Sequence, residues 1–194
     1  MPFEYPQDTT PLDHDESEGL RLTHITTREE LNLFEARNIQ TGMMWAWRSR
    51  NKDMLSERFI CQLHQKMFGD VWRWAGKFRQ SNKNIGVSRE MIGIELHHLC
   101  EDVIYWIEHH TYDTNETAAR FHHRLVAIHL FPNGNGRHAR MIADLLLEKK
   151  LGAIRFTWGG SELSEVNQCR QNYIQALQKA DHGDIAPLMK FVRS

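Results

Sequence analysis

Apolar residues recur every three or four positions along most of the chain, which is the spacing of one face of an α-helix. The stretch LNLFEARNIQTGMMWAW follows Thr27 and Glu30, a capping-box pair that is typical of a helix start. FICQLHQKM carries Phe59 and Leu63 on one face, and Gly69 follows it as a helix end. These patterns predict two helices before residue 70.

The segment GKFRQSNKNIGVSR interrupts this periodicity. It contains three Lys or Arg residues before Ile85, several Asn and Gly residues, and no helical spacing. Asn and Gly at this density favour turns, so the segment is predicted to form a β-hairpin or an extended loop. Ser88 is then expected to cap a helix with Leu96 and Leu99 on its apolar face.

Helical spacing continues after Asp113, which with Glu116 begins the next predicted helix. Its apolar stripe carries His122 and His129, and the pattern places its end at Phe131–Pro132. Further helices are predicted from about residue 135 to 152, around residues 166–177, and after residue 184. The chain is therefore expected to be mainly α, with six to eight helices and one short β-hairpin.

Composition narrows the class of protein. The 194 residues are 41% hydrophobic and 25% charged, which is typical of a globular domain with a sizeable core. The formal net charge of −1 argues against direct nucleic-acid binding through a general basic field. No apolar run approaches the roughly 20 residues of a membrane span, and no signal-peptide pattern opens the chain, so a cytoplasmic protein without membrane contact is expected.

Charge is uneven at the N-terminus. Residues 1–20 contain six Asp or Glu residues and no Lys or Arg, a composition typical of a solvated arm. We therefore divide the chain into an acidic, partly extended arm over residues 1–24, an N-terminal helix over 25–54, and a main domain over 55–194.

Residues 129–140, HLFPNGNGRHAR, carry the candidate chemistry. Gly134 and Gly136 allow a ligand to approach the backbone closely. The loop leads directly into a helix N-terminus, where free N–H groups and the helix dipole attract anions. Arg137 and Arg140 are three residues apart, so they share one face of that helix. The combination predicts a site for the phosphates of a nucleotide.

Three other residues of this loop extend the prediction. His129 precedes the loop and is expected to accept a proton, since the unperturbed pKa of histidine is about 6.5. Phe131 is expected to anchor the loop in the core. Phosphate transfer commonly uses a divalent ion, and Asn133 is the candidate ligand for Mg²⁺, although an amide oxygen is a weaker ligand than a carboxylate.

HLFPNGNGRHAR resembles the signature of the Fic family, His-x-Phe-x-(Asp or Glu)-Gly-Asn-Gly-Arg-x-x-Arg. Every fixed position matches except the acidic one, which Asn133 occupies. WRWAGKFR, FHHRLVAIH and YIQALQKADHGD also resemble segments of the family, mainly over residues 55–192. The opening YPQDTTPL and the segment HITTREELN resemble the Fic group called mobile mystery protein B.

The resemblance implies a helical Fic fold and transfer of AMP from ATP to a Ser, Thr or Tyr hydroxyl of a target protein. It implies that His129 is the general base and that Arg137 and Arg140 contact phosphates, Arg140 the terminal one. The anion hole would comprise Gly134, Asn135 and Gly136. The implied partners are ATP and the target protein, while the oligomeric state is open.

The resemblance also implies two regulatory or docking elements. A flap near residues 78–87 would receive an extended target segment at its edge, and its candidate residues are Lys83, Asn84, Ile85 and Gly86. Many members carry an inhibitory glutamate that pairs with the second arginine of the signature. Glu35 is the candidate here, with Leu31 and Ala36 where the family pattern has other residues. The alternative is an ordinary surface glutamate.

Other functions remain open from the sequence. One is a nucleotide-binding module with lost or altered transferase activity, and another is transfer of a different nucleotide or of phosphocholine, which Asn133 favours. A metal hydrolase is a weaker alternative. The chain has adjacent histidine pairs at 97–98, 109–110 and 122–123, but neighbours on a helix point about 100° apart and do not form one ligand set.

Overall fold

The computed structural model describes residues 13–49, 53–160, 163 and 168–194. Within these ranges the fold is mainly α, as predicted. The α-helices are α1 (His14–Ser17), α2 (Arg28–Arg48), α3 (Glu57–Phe68), α4 (Ile92–Glu108), α5 (Thr114–Ile128), α6 (Asn135–Leu145), α7 (Gln168–Asp181) and α8 (Ala186–Val192). Short 3₁₀ turns at Arg89–Met91 and Trp158–Gly160 and a π turn at Leu146–Lys150 complete the helical segments.

Local sequence signals set several of the helix starts. Thr27 caps α2 by accepting from the N–H of Glu30, whose side chain bonds back to the cap. Asp113 caps α5 in the same position by accepting from the N–H of Glu116 at 2.8 Å. Such caps contribute roughly 1 kcal/mol each by satisfying N–H groups that the helix cannot pair. The capping residues identified from the sequence therefore hold at both helices.

The core lies around α5, which contacts α4, α6, α7 and α8, while α2 and α3 pack closely together. Leu63, Phe121, Leu125 and Ile142 are among the buried side chains. Burying each side chain of this size stabilises the fold by roughly 1.5–3 kcal/mol. This packing fixes the junction between α5 and α6, where the candidate site lies. Within the described ranges, no helix combines the length and the hydrophobicity that a membrane span requires.

Two sequence-based expectations were wrong in detail. The fifth helix ends at Ile128, before the Phe131–Pro132 pair, and His129 adopts the left-handed conformation with φ 58°. Residues 78–87 form an irregular loop of bends, so the extended-loop alternative holds and the β-hairpin does not, and the one β-bridge within the described residues joins Leu20 to Trp72. The turn residues of this segment were recognised correctly, but side-chain hydrogen bonds replace a strand ladder.

The acidic arm is also not simply solvated where it is described, from residue 13 onward. Backbone hydrogen bonds join Arg21 N–H to Val71 O and Arg73 N–H to Gly19 O, each at 2.8 Å. Trp74 Nε1 donates to the carbonyl of Glu16 at 2.9 Å. Residues 13–21 therefore lie along the segment that leads into the flap. The part of the arm before residue 13 lies outside the described residues.

Candidate active site

His129 occupies the junction between α5 and the glycine loop. It is only 6% exposed, yet neither Nδ1 nor Nε2 has a hydrogen-bond partner among the described residues. Buried polar atoms are nearly always paired, whereas both ring nitrogens of His129 remain free to contact a ligand. Burial and the cations Arg79 and Lys83 lower its pKa to about 4. The ring is therefore neutral near pH 7 and able to accept a proton.

The loop after His129 is held by Asn135. Its side-chain oxygen accepts from Phe131 N–H at 2.9 Å, and its amide donates to Phe131 O at 2.7 Å. Phe131 is fully buried and stacks on His64, with ring centroids 3.7 Å apart. The side chain of Asn135 is thus used inside the loop, and only its backbone N–H is left unpaired.

Gly134 adopts a backbone conformation that residues with a Cβ atom rarely take. Its φ of +79° is left-handed, and a Cβ atom there would lie 2.7 Å from the ring of Phe68. At Gly136, in contrast, the nearest contact of an added Cβ atom would be Arg140 Nη1, at an ordinary van der Waals distance of 3.6 Å. The first glycine therefore shapes the turn, whereas the second leaves open space beside α6.

The first turn of α6 presents unpaired donors. The first backbone hydrogen bond of the helix runs from His138 N–H to Gly134 O. The N–H groups of Asn135, Gly136 and Arg137 have no acceptor within the described part of the chain. Together with the helix dipole, these groups form an anion-binding terminus suited to phosphate oxygens.

The two arginines of the helix have different surroundings. Arg137 Nη1 donates to Glu35 Oε2 at 2.6 Å, and its guanidinium lies 4.9 Å from the ring centroid of Phe68. Arg140 lies over the ring of Tyr173 at 5.5 Å and has no carboxylate within salt-bridge distance among the described residues. Because Arg140 Nη1 is so close to the Cβ position of Gly136, this cation lies beside the helix terminus.

Glu35 pairs with a different arginine from the one expected. The prediction that it would pair with Arg140 was wrong, because its carboxylate binds Arg137 and accepts from Trp72 Nε1 at 2.7 Å. It is also not a surface residue, since it is only 4% exposed. Burial is the largest single effect on the pKa of this carboxyl, and it raises the pKa. The charge of Arg137 and the hydrogen bonds from Trp72 and Arg137 together outweigh burial, so the pKa is lowered.

Asn133 is poorly placed to bind a metal ion. Its Oδ1 accepts from Gly134 N–H at 2.6 Å and lies 3.5 Å from Arg137 Nη2, while its main-chain oxygen accepts from His64 Nε2 at 3.0 Å. The nearby carboxylate of Glu35 is also engaged. Among the described residues no cluster of three His, Cys, Asp or Glu side chains could hold a metal. The amide oxygen of Asn133 is therefore not free to bind Mg²⁺ in this arrangement.

The flap, residues 78–87, lies against His129. Gly86 has φ +96°, and a Cβ there would be 2.7 Å from His129 Cβ. Lys83 Nζ pairs with Asp13 at 2.8 Å and Glu16 at 2.5 Å. Asn84 and Ile85 are exposed, Ile85 at 47%. The four candidate docking residues therefore differ, because Lys83 is tied to α1 whereas Asn84 and Ile85 face solvent.

Several residues that shape the site were not identified from the sequence as functional. Arg79 is 1% exposed and donates to three backbone carbonyls around His129 and the flap. Trp72 donates a hydrogen bond to Glu35, and the ring of Tyr173 lies under Arg140. The one signal in the sequence was the cationic density of GKFRQSNK, but spacing could not show which cation was buried.

Comparison with known proteins places this geometry in a family. The helical fold and the glycine loop between α5 and α6 define a Fic-type domain. Residues 54–147 match the model of the Fic/DOC family, so the chain contains a Fic/DOC domain. The finer resemblance to the mobile mystery protein B group stays a prediction.

Curated relatives include a protein adenylyltransferase fic-1 from Caenorhabditis elegans, 28% identical over 152 residues, which cover 74% of this chain and 28% of that protein. Protein adenylyltransferase Fic from Aedes aegypti is 28% identical over 144 residues, covering 72% of this chain and 27% of that protein. The chain thus spans less than a third of the length of these relatives.

Solved structures show the same fold. Fic-1 from C. elegans has a TM-score of 0.60 and 28% identity, covering 81% of this chain and 48% of the other. BepC from Bartonella tribocorum, solved with AMPPNP, has a TM-score of 0.68 and 17% identity, covering 93% of this chain and 96% of the other. At that identity the second likeness shows the fold alone.

Proposed function

We propose that the chain is a protein adenylyltransferase that moves AMP from ATP to a Ser, Thr or Tyr hydroxyl of a target protein. The observation that carries this proposal is the neutral, buried and unpartnered ring of His129, one loop away from the unpaired N–H groups at the start of α6 in the described chain. Curated relatives named adenylyltransferases support the choice of reaction.

In this reaction the target hydroxyl oxygen attacks the α-phosphorus of ATP and forms a new P–O bond. The bond from that phosphorus to the oxygen bridging the β-phosphate breaks, and pyrophosphate leaves. The hydroxyl proton passes to a ring nitrogen of His129, which is neutral near pH 7 because its pKa is lowered to about 4. A positioned general base of this kind contributes about 10²–10⁴-fold to the rate.

Phosphate binding is assigned to the N-terminal turn of α6 and to Arg140. The backbone N–H groups of residues 135–137 supply neutral donors at the positive end of the helix dipole. Arg140 has no acidic partner within the described ranges, so its charge is available to the terminal phosphate. Arg137 joins it when Glu35 releases the guanidinium, which makes Glu35 the candidate inhibitory residue.

The target protein is proposed to dock along the flap, where Asn84 and Ile85 are exposed next to Gly86 and His129. An extended segment that hydrogen-bonds to this edge would bring its hydroxyl to the imidazole. The cytoplasmic location that the sequence predicts belongs to the same proposal, because ATP is available there.

A second candidate is transfer from a donor other than ATP, or nucleotide binding without transfer. Asn133 favours it, because this position lacks a carboxylate and its oxygen is already bonded to Gly134 N–H. Both candidates use the same anion-binding terminus at the start of α6. They differ from the first proposal in the group, if any, that is transferred to a target protein.

The test is to incubate the protein and a cell lysate with α-labelled ATP, GTP, CTP or UTP, and to determine the mass added to labelled proteins. We expect an AMP adduct with the wild type and a loss of about 10²–10⁴-fold with His129→Ala. His97→Ala is the matched control, since His97 is an exposed histidine on α4 whose side chain is 70% accessible.

Near-normal labelling by the folded His129→Ala variant would remove the base assignment. Labelling by another nucleotide alone would replace ATP as the donor. Binding of ATP without any adduct would establish the binding module instead.

A further inference from the structure

We propose that Arg79 is a positioning residue that fixes the backbone of His129 and closes the flap beside it, an inference that rests on the transferase function proposed above. Arg79 touches no reacting atom in this assignment. It acts through His129 and through the flap backbone.

The contacts of Arg79 are unusual for a buried cation. Its Nε donates to His129 O at 2.7 Å and its Nη1 to Ser81 O at 2.8 Å, while its Nη2 donates to Val87 O. Its own N–H donates to Leu130 O at 3.0 Å. No carboxylate in the described ranges pairs with this guanidinium. A buried charge is costly, so its fixed donors are committed to backbone carbonyls rather than to an ion pair.

The side-chain acceptors of Arg79 belong to two parts of the site, the flap and the base. Ser81 and Val87 lie on the two sides of the segment that carries Lys83, Asn84, Ile85 and Gly86, so one guanidinium closes the whole flap loop. The same guanidinium holds the carbonyl of His129. The flap edge and the base are therefore connected through a single side chain.

His129 needs such support because its backbone is left-handed, with φ 58°. A non-glycine residue is strained there and keeps the conformation only when surrounding contacts determine it. Gly86 allows the flap to approach, since a Cβ atom would lie 2.7 Å from His129 Cβ and 3.0 Å from Arg79 Nη2. Arg79 thus sets both the direction of the imidazole and its distance from the flap.

Arg79 has an electrostatic consequence as well. After burial, its charge is the largest cause that lowers the pKa of His129. Replacing the guanidinium by an ammonium keeps the charge but removes the fork geometry, whereas a neutral side chain removes both. Geometry and charge are therefore separable by choice of variant.

The experiment compares Arg79→Lys and Arg79→Met with wild type. Arg124→Lys is the matched control, because Arg124 is a half-buried arginine of α5 that pairs with Asp102 on α4. We expect kcat to fall by about 10–10²-fold in Arg79→Lys, with KM for ATP within about twofold of wild type, since positioning of the base is lost and the phosphate seat is kept. Titration of His129 by NMR should show a higher pKa in Arg79→Met.

Unchanged kcat in folded Arg79→Lys would overturn the proposal, as would an equal loss in Arg124→Lys. If Arg79→Met does not fold, the lysine variant alone decides. If wild type transfers nothing from any nucleotide, the proposed function fails separately. In that case the positioning role is tested by the HN–Hα coupling of residue 129, which reports its φ, and by amide exchange over residues 81–87, which reports opening of the flap. A lysine variant that matches wild type in both measurements would refute the positioning role.

Discussion

Glu35 Oε2 lies 2.6 Å from Arg137 Nη1, an ion pair that joins α2 to the first turn of α6 across 102 residues of sequence. The arginine is part of the predicted phosphate site, and the glutamate is buried. An anionic ligand that binds Arg137 therefore competes with a carboxylate already in place.

The first prediction concerns this competition. Glu35→Gln should raise transfer and tighten ATP binding, because Arg137 becomes available to phosphate. It should also lower the free energy of unfolding by about 1–3 kcal/mol, since a buried charged hydrogen-bond network is weakened. Labelling rate, ATP affinity and urea denaturation measure the three effects. Trp72→Phe is the control, because it removes the indole N–H bond to Glu35, together with part of a buried ring, and leaves the pair between Glu35 and Arg137 in place. Slower transfer with unchanged ATP affinity would show that the pair is not inhibitory.

The two glycines of the loop should respond differently to alanine. Gly134→Ala introduces a Cβ 2.7 Å from the Phe68 ring at a φ of +79°, so we expect a loss of about 1–3 kcal/mol in unfolding free energy and weaker ATP binding. Gly136→Ala meets nothing closer than 3.6 Å and should keep the stability. Thermal unfolding and ATP titration of both variants check this. Equal destabilisation by the two changes would contradict the account of the turn.

Restoring an acid at position 133 tests the metal question. Asn133→Asp should make ATP affinity depend more steeply on Mg²⁺, because a carboxylate is a better Mg²⁺ ligand than an amide. The measurement is ATP binding over a Mg²⁺ titration in wild type and variant. Parallel titrations in the two proteins would show that this position does not contact the ion, consistent with the bonding of Asn133 Oδ1 to Gly134 N–H.

The ion pairs of Lys83 should control how firmly α1 is attached. Lys83→Gln removes the charge that Asp13 and Glu16 bind, so amide exchange over residues 13–20 and 81–87 should accelerate. Lys77→Gln, at an exposed position just before the flap, is the matched control. If α1 exchanges equally fast in wild type and in Lys83→Gln, the attachment is not maintained by these pairs.

Acid should destabilise the fold through its buried histidines. Burial lowers the pKa of His138 to about 4, and its Nε2 donates to Ile60 O. The unfolded chain then binds more protons than the folded one between about pH 4 and 6.5, so stability is complete above that window and falls as pH drops through it. Each such histidine lowers the free energy of unfolding by roughly 2 kcal/mol when the pH falls from about 7.5 to 5. Urea denaturation at the two pH values measures the total.

His138→Gln isolates the contribution of one histidine. Its unfolding free energy should depend less on pH than that of wild type across the same window, because one proton-linked group is gone. If the unfolding free energy of the variant depended on pH as steeply as that of wild type, the pKa of His138 would be the same in the folded and unfolded states.

Much of the secondary structure could be predicted because its causes are local. Thr27 and Asp113 cap their helices through side chains that reach only three residues ahead, and apolar spacing shows which faces are buried. The glycine loop and the helix start after it are equally local. The end of α5 was missed, because apolar residues continue to Leu130 and Phe131 after the backbone has turned left-handed at His129.

The sequence by itself determined a mainly helical domain, and it predicted an anion-binding helix start and a candidate base at one helix junction. Only the tertiary structure decided that Glu35 binds Arg137 rather than Arg140, that the buried guanidinium of Arg79 binds the carbonyl of His129, and that Asp13 and Glu16 reach Lys83. The physical reason is range. Capping and periodicity act within a few residues along the chain, whereas these ion pairs and hydrogen bonds depend on how separate segments pack and which side chains that packing brings together.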